Sequence, residues 1–214
     1  MPCRPTGKRM RVGIDFDNTI VCYDSLFHRV ACEVAGLPAT VPANKVMVRD
    51  HLRQTGREDL WTELQGLVYG ARMAEAEPFP GVLDVLAWAR ASGITLFIIS
   101  HKTRHPILGP AYDLHAAARA WTENRLADGD GALIPADNIF FELTKDDKLR
   151  RIAACACDLF IDDLPEILQA PGFPRATRPL LFDPEDHHAV DGVTPLADWP
   201  AIRAFLEALW SAHC

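Results

Sequence analysis

Short apolar runs at residues 11–16, 94–100, 138–143, 158–161 and 179–182 alternate with stretches whose apolar positions recur at helical spacing. Runs this short, rich in Ile, Leu, Val and Phe, read as strands buried on both faces. Val82, Val85, Leu86 and Ala89 fall at i, i+3, i+4 and i+7 behind Gly81, and Gly93 ends that pattern. Leu149, Ile152, Ala153 and Ala156 repeat the spacing behind Thr144, an N-cap residue with Asp147 three positions on. A last helix opens at Pro200 and turns Ile202, Phe205, Leu206 and Leu209 inward. Strands alternating with helices predict an α/β fold: a Rossmann-like, doubly wound, mostly parallel sheet of five strands, covered on both faces.

Two stretches are longer than a simple crossover needs. Residues 24–78 carry the helical faces Leu26/Val30/Val34 and Leu60/Leu64/Leu67/Val68, which predicts a small α-helical insertion. Residues 10–23 and 79–214 then form the α/β core, and residues 1–9 a flexible leader. Residues 101–137 hold a helix around 112–126 and the acidic run Asp128-Gly129-Asp130-Gly131. That run lacks the remaining ligands of an EF-hand and reads as a turn.

Apolar residues make up 49% of the 214-residue chain and charged residues 24%, the balance of a globular protein. The formal charge of −7 disfavours nucleic acid polymers and anionic membranes as partners, while leaving room for a small anionic ligand held by a few local cations. No apolar run is long enough to cross a bilayer. The basic start of the chain lacks the apolar core of a signal peptide, so a cytoplasmic location is expected. The six cysteines, Cys3, Cys22, Cys32, Cys155, Cys157 and Cys214, show no metal-ligand spacing and are expected as reduced thiols.

Candidate chemistry concentrates at strand ends. Asp15-Phe16-Asp17-Asn18-Thr19 follows the first run directly. A short β-type alternation buries Phe16 and turns Asp15 and Asp17 to one side, where one acid can attack and the other can handle a proton. Ser100 ends the second run, Lys145 and Lys148 stand in the first turns of the helix after the third, and Asp162-Asp163 ends the fourth. In a parallel sheet, groups at strand ends converge on one edge.

In this order, the motifs Asp15-x-Asp17-x-Thr19, Ser100, Lys145 or Lys148, and Asp162-Asp163 resemble the haloacid dehalogenase-like (HAD) phosphohydrolase superfamily over residues 12–163. The resemblance implies an Mg²⁺ ion held by the Asp15 carboxylate, the Asp17 backbone carbonyl and one or both of Asp162 and Asp163. It implies attack by Asp15 on phosphorus, with Asp17 first protonating the leaving alcohol and then activating water. Ser100 would donate a hydrogen bond to a phosphoryl oxygen, and a lysine, Lys148 in preference to Lys145, would neutralise charge. An acid at Asp17 suits a phosphate ester, whose alkoxide leaves poorly, better than a carbon–halogen bond. A phosphatase acting on a small phosphorylated metabolite is therefore expected. Phosphoryl transfer to another acceptor and a non-catalytic Mg²⁺-binding scaffold are the alternatives. A receiver-type signalling module is disfavoured, because there the acidic pair comes first in the chain.

By the same resemblance, the insertion at 24–78 stands where a helical cap would choose the leaving group. Asp24, Arg49, His51, Arg53 and Arg57 are its candidate contacts, with a solvated helix face as the alternative. Thr19, with Asn18, is expected to shape the turn behind the nucleophile and stands among the candidate substrate contacts. His101, Lys102 and Arg104, directly behind Ser100 in an otherwise acidic chain, are further candidates. His187-His188 reads as a polar loop. Quaternary state and the natural substrate are not legible in the sequence.

Overall fold

The structure is a computed structural model that describes residues 9–188 and 190–212. In chain order the elements are β1 (Arg11–Ile14), β2 (Val21–Cys22), α1 (Asp24–Ala35), α2 (Lys45–Gln54), α3 (Glu58–Tyr69), β3 (Glu77–Pro78), α4 (Val82–Ala91), β4 (Thr95–His101) and α5 (Leu114–Arg125). There follow β5 (Ala127–Asp128), β6 (Gly131–Ala132), β7 (Ile139–Glu142), α6 (Lys145–Ala154), β8 (Leu159–Asp162), α7 (Pro165–Leu168), β9 (Arg178–Phe182), β10 (Thr194–Leu196) and α8 (Trp199–Ala212).

The main sheet runs β10-β9-β8-β1-β4-β7, and each pair with a described register is parallel. It has six strands where the apolar runs predict five. The additional strand, β10, is Thr-Pro-Leu at the sheet edge, where Pro195 costs no ladder hydrogen bond and one face stays wet, so no apolar run announces it. β1 lies in the middle: the chain builds outward through β4 and β7, then returns to place β8 on the other side of β1. That reversal opens the crevice beyond the carboxyl ends of β1 and β8.

Burial on both faces explains the unbroken apolar runs. Val12, Ile14 and Phe16 are at most 1% exposed, as are Ile98, Ile99, Phe160 and Ile161. Gly13 is required by the same packing: a Cβ there would stand 2.6 Å from the Phe160 ring and 2.9 Å from Cys157 Sγ. The apolar surroundings also push the Cys157 thiol up to about 12. The four cysteines among the described residues are free thiols.

Chain contacts divide the protein into two units. The first comprises residues 9–20, 78–101 and 126–212 and contains the main sheet with α4, α6, α7 and α8. In it α4 buries Val82, Val85, Leu86 and Ala89, and α8 buries Ile202 and Leu206, as the spacing predicts. Asp128-Gly129-Asp130-Gly131 is the turn of the β5–β6 hairpin, with Asp128 accepting the backbone N–H of Asp130 and pairing with Arg90.

The second unit comprises residues 21–77 and 102–125. The expected core bounds of 79–214 include the helix near 112–126, whereas α5 groups with residues 21–77. The reason is side-chain burial: Trp121 is buried and its indole N–H donates to the carbonyl of Ala76 at 2.9 Å, and Arg125 pairs with Glu77. α1 buries Leu26 and Val30 as predicted, but Val34 is 53% exposed. α3 turns Trp61, Leu64 and Val68 inward and leaves Leu60 and Leu67 only half-buried. Among the described residues no helix is long and apolar enough to cross a membrane. The leader expected at residues 1–9 lies outside the described residues except for Arg9.

Candidate active site

Register brings the acids of β1 and β8 together. Ile14 pairs with Ile161, so Asp15 and Asp162 leave neighbouring strands at one level, and the Asp15 backbone N–H donates to the Ile161 carbonyl at 2.8 Å. Each carboxylate is almost fully buried. Behind Asp15 the chain turns sharply: Asn18 takes a left-handed φ of 58°, a conformation Asn tolerates better than most residues. Phe16 anchors the turn edge-on against Phe141, ring centroids 5.2 Å apart.

The third partner comes from α6. Thr144 caps the helix, its hydroxyl accepting the Asp147 backbone N–H at 3.1 Å. The first full turn then carries Lys148 inward beside Leu149 and Ile152. Its ammonium, wholly buried, donates to Asp15 Oδ1 at 2.5 Å and lies 2.6 Å from Asp162 Oδ2. Burial opposes that charge, but the carboxylates of Asp15 and Asp162 outweigh it and hold Lys148 above the ordinary lysine range. Burial likewise lifts Asp162 above the ordinary carboxylate range, against the pull of Lys148.

Asp162 Oδ1 accepts the Leu164 backbone N–H at 3.0 Å. Its buried Oδ2 has the Lys148 ammonium at 2.6 Å as its neighbour and no well-directed hydrogen bond among the described residues. Asp15, Asp162 and Asp163 each offer an oxygen, and those atoms all lie within 4.8 Å of one another. Asp15 and Asp162 share the one Lys148 ammonium. All-oxygen donors gathered this closely and an incompletely satisfied buried oxygen fit a small divalent cation such as Mg²⁺.

Several candidates stand elsewhere. Lys145, three residues before Lys148, is half-exposed and pairs with Glu166 at 3.2 Å; it is not brought to the buried carboxylates. Thr19 is fully buried; its hydroxyl donates to Asp163 at 3.4 Å and its carbonyl accepts the Trp199 indole N–H at 3.0 Å. Thr19 thus braces one of the acids. Ser100 and His101 close β4 in the first unit, with Ser100 buried and His101 half-buried. Asp17 is half-buried.

Lys102 and Arg104 fall in the second unit. There Lys102 lies over the Tyr69 ring, 4.5 Å from its centroid, and Arg104 pairs with Asp113. The other basic candidates of that unit are engaged locally: Arg49 with Asp50, Arg53 with Glu58, and Arg57 with the Ala35 carbonyl. Asp24 accepts the Lys45 backbone N–H at 2.8 Å. The backbone N–H groups of His187 and His188 both donate to Asp183, as befits a polar loop. Trp199 was invisible as a site-bracing residue in the sequence; its only local signal is a helix start before Pro200.

A central parallel strand whose terminal aspartate meets a second strand-end aspartate and a buried lysine defines an α/β protein with an acidic site at the switch point. Solved structures with the same fold include proteins described as HAD-superfamily hydrolases. An L-2-haloacid dehalogenase aligns with a TM-score of 0.57 at 13% identity, over 94% of this chain and all of that one. YfnB of Bacillus subtilis, named a HAD-hydrolase and solved bound to magnesium, aligns at 0.56 and 13%, over 94% and 99%. A predicted phosphoglycolate phosphatase from Haemophilus somnus 129pt aligns at 0.54 and 11%, over 94% and 99%. At these identities the likeness is one of fold. No protein-family model matches the chain, and no curated protein matches its sequence.

Proposed function

We propose that the protein is an Mg²⁺-dependent phosphatase that hydrolyses a small-molecule phosphate monoester through a phosphoryl group carried on Asp15. The observation that carries this reading is the wholly buried Lys148 bridging Asp15 and Asp162, with Asp163 alongside. Asp15, Asp162 and Asp163, with the backbone carbonyl of Asp17, would hold the ion. When bound, it supplies positive charge that offsets the repulsion between a phosphate ester and a carboxylate nucleophile.

Asp15 attacks phosphorus, forming an O–P bond as the bond to the leaving oxygen breaks, and Asp17 gives that oxygen a proton. Asp17, now a carboxylate, takes a proton from water as the water attacks the same phosphorus. Inorganic phosphate departs and the Asp15 carboxylate is regenerated. Lys148 orients Asp15 and, with the Ser100 hydroxyl, stabilises charge on the phosphoryl oxygens.

HAD-fold neighbours include both a dehalogenase and a predicted phosphatase; Asp17 favours phosphate chemistry, because a halide leaves without a proton and an alkoxide does not. Purified protein is expected to release phosphate from a generic aryl phosphate with Mg²⁺ and to leave a 2-haloacid intact. Asp15→Asn is expected to abolish turnover; an undiminished rate in that variant would remove the nucleophile.

A further inference from the structure

His101 closes β4 one residue beyond Ser100, and strand alternation turns the two side chains to opposite faces of the sheet. The His101 face is the one carrying Phe97 and Ile99, which pack with Leu149 and Ile152 of α6 in one core cluster. The imidazole thus stands on the side of the sheet that also supplies Lys148. Its Nδ1 is buried and has no hydrogen-bond partner among the described residues. Burial first, then Lys148, hold His101 below the ordinary histidine range, against the pull of Asp15 and with Lys145 and Asp17 as smaller influences. The ring is neutral near pH 7, with one N–H and one lone pair to offer.

A buried ring nitrogen without a partner is costly, and a catalytic or ligand-binding role is one reason a native fold keeps it. Among the described residues, those grouped closely enough to share a cation are Asp15, Asp162 and Asp163, without His101. Glu166 is engaged by Lys145. An oxygen of the bound substrate would satisfy the ring nitrogen.

We propose that His101 is a substrate-binding residue of the phosphoryl site, its Nδ1 forming a hydrogen bond with an oxygen of the transferring phosphoryl group on the face of β4 opposite Ser100. The inference rests on the phosphatase reading of Asp15. It adds a contact made by a neutral group, which holds the phosphoryl oxygens without competing with Lys148 for the carboxylates.

The two side-chain amides separate the ring nitrogens: Asn places its amide near the position of Nδ1, and Gln near that of Nε2. His101→Asn is expected to keep kcat/KM for an aryl phosphate within about threefold of wild type. His101→Gln and His101→Ala are expected to lose about 10- to 100-fold, the worth of one hydrogen bond to a charged group. The urea midpoint of His101→Ala should stay level or rise, since an unpaired buried nitrogen has been removed.

Wild-type kcat/KM in His101→Ala would overturn the inference, because a bridging water or no partner at all would then account for Nδ1. Full activity in His101→Gln with loss in His101→Asn would overturn it too, by naming the other nitrogen. Should His101→Ala fail to fold, the Asn and Gln variants still decide. Should wild-type protein show no phosphatase turnover, the phosphatase reading fails by itself. The contact is then tested by titrating inorganic phosphate with Mg²⁺ and following the ¹⁵N resonance of His101 Nδ1, which must move for the inference to stand.

Discussion

Lys148 is wholly buried between two acids, so removing it strands two carboxylates in a low-dielectric site. Breaking a buried ion pair from one side costs about 3–5 kcal/mol. Lys148→Met is therefore expected to lose roughly that much stability in urea unfolding with a chelator present, and a loss under about 1 kcal/mol would show that the pair is not the anchor drawn here. The same residue shows where sequence reasoning stops. Lys145 and Lys148 lie three positions apart and both keep company with the buried stripe of α6 through i, i+3 or i, i+4 spacing. Three residues of helix advance only about 4.5 Å, yet that distance carries one ammonium to the strand-end acids and leaves the other pairing with Glu166 at the surface. Helical periodicity fixes an angle about the axis; height relative to the sheet belongs to tertiary packing. Thr19 makes a similar point: its place two residues past an aspartate gives no sign that its hydroxyl reaches Asp163 and its backbone carbonyl the Trp199 indole N–H.

At the scale of the element, most boundaries follow from local chemistry. Thr144 begins α6 because its hydroxyl satisfies an otherwise orphaned N–H at Asp147, and Gly81 and Gly93, with φ of 83° and 77°, bracket α4 because left-handed backbone suits glycine. Thr144→Ala should cost about 1 kcal/mol, within a range of roughly 0.5–2, readable as a lowered urea midpoint. Because α6 carries Lys148, kcat should fall with it more than KM rises; an unchanged midpoint would mean that the cap contributes nothing. The elements that escaped pattern reading are those whose stability is not local. β10 contains a proline and is only partly buried, so hydrogen bonding to β9 makes it a strand. α5 has a helical pattern of its own, but its assignment to a unit depends on Trp121 reaching Ala76, 45 residues away.

For the whole molecule, a net charge of −7 sets the background against which the site works. Three of its carboxylates, Asp15, Asp162 and Asp163, are gathered within reach of one another, a local repulsion that a bound divalent cation would relieve. A ligand that binds only the folded state at about 100 times its Kd adds about 2.7 kcal/mol. Chelator-treated protein is accordingly expected to unfold at higher temperature when Mg²⁺ is restored, with a smaller gain in Asp163→Asn. An identical midpoint with and without Mg²⁺ would argue against the carboxylate group as an ion site.

The succession of short apolar runs and helical stripes was enough, from the sequence, to establish an α/β chain with acids, a hydroxyl and lysines at strand ends. Those properties depend on side-chain periodicity and backbone sterics, which act over a few residues. Which of those groups meet was decided by the tertiary structure. Asp15 and Lys148 touch across 133 positions of sequence, because β8 returns to the flank of β1 and α6 packs over the same sheet; no local rule encodes that return. Strand order brings distant residues together through burial shared among many side chains, and only the folded chain expresses it.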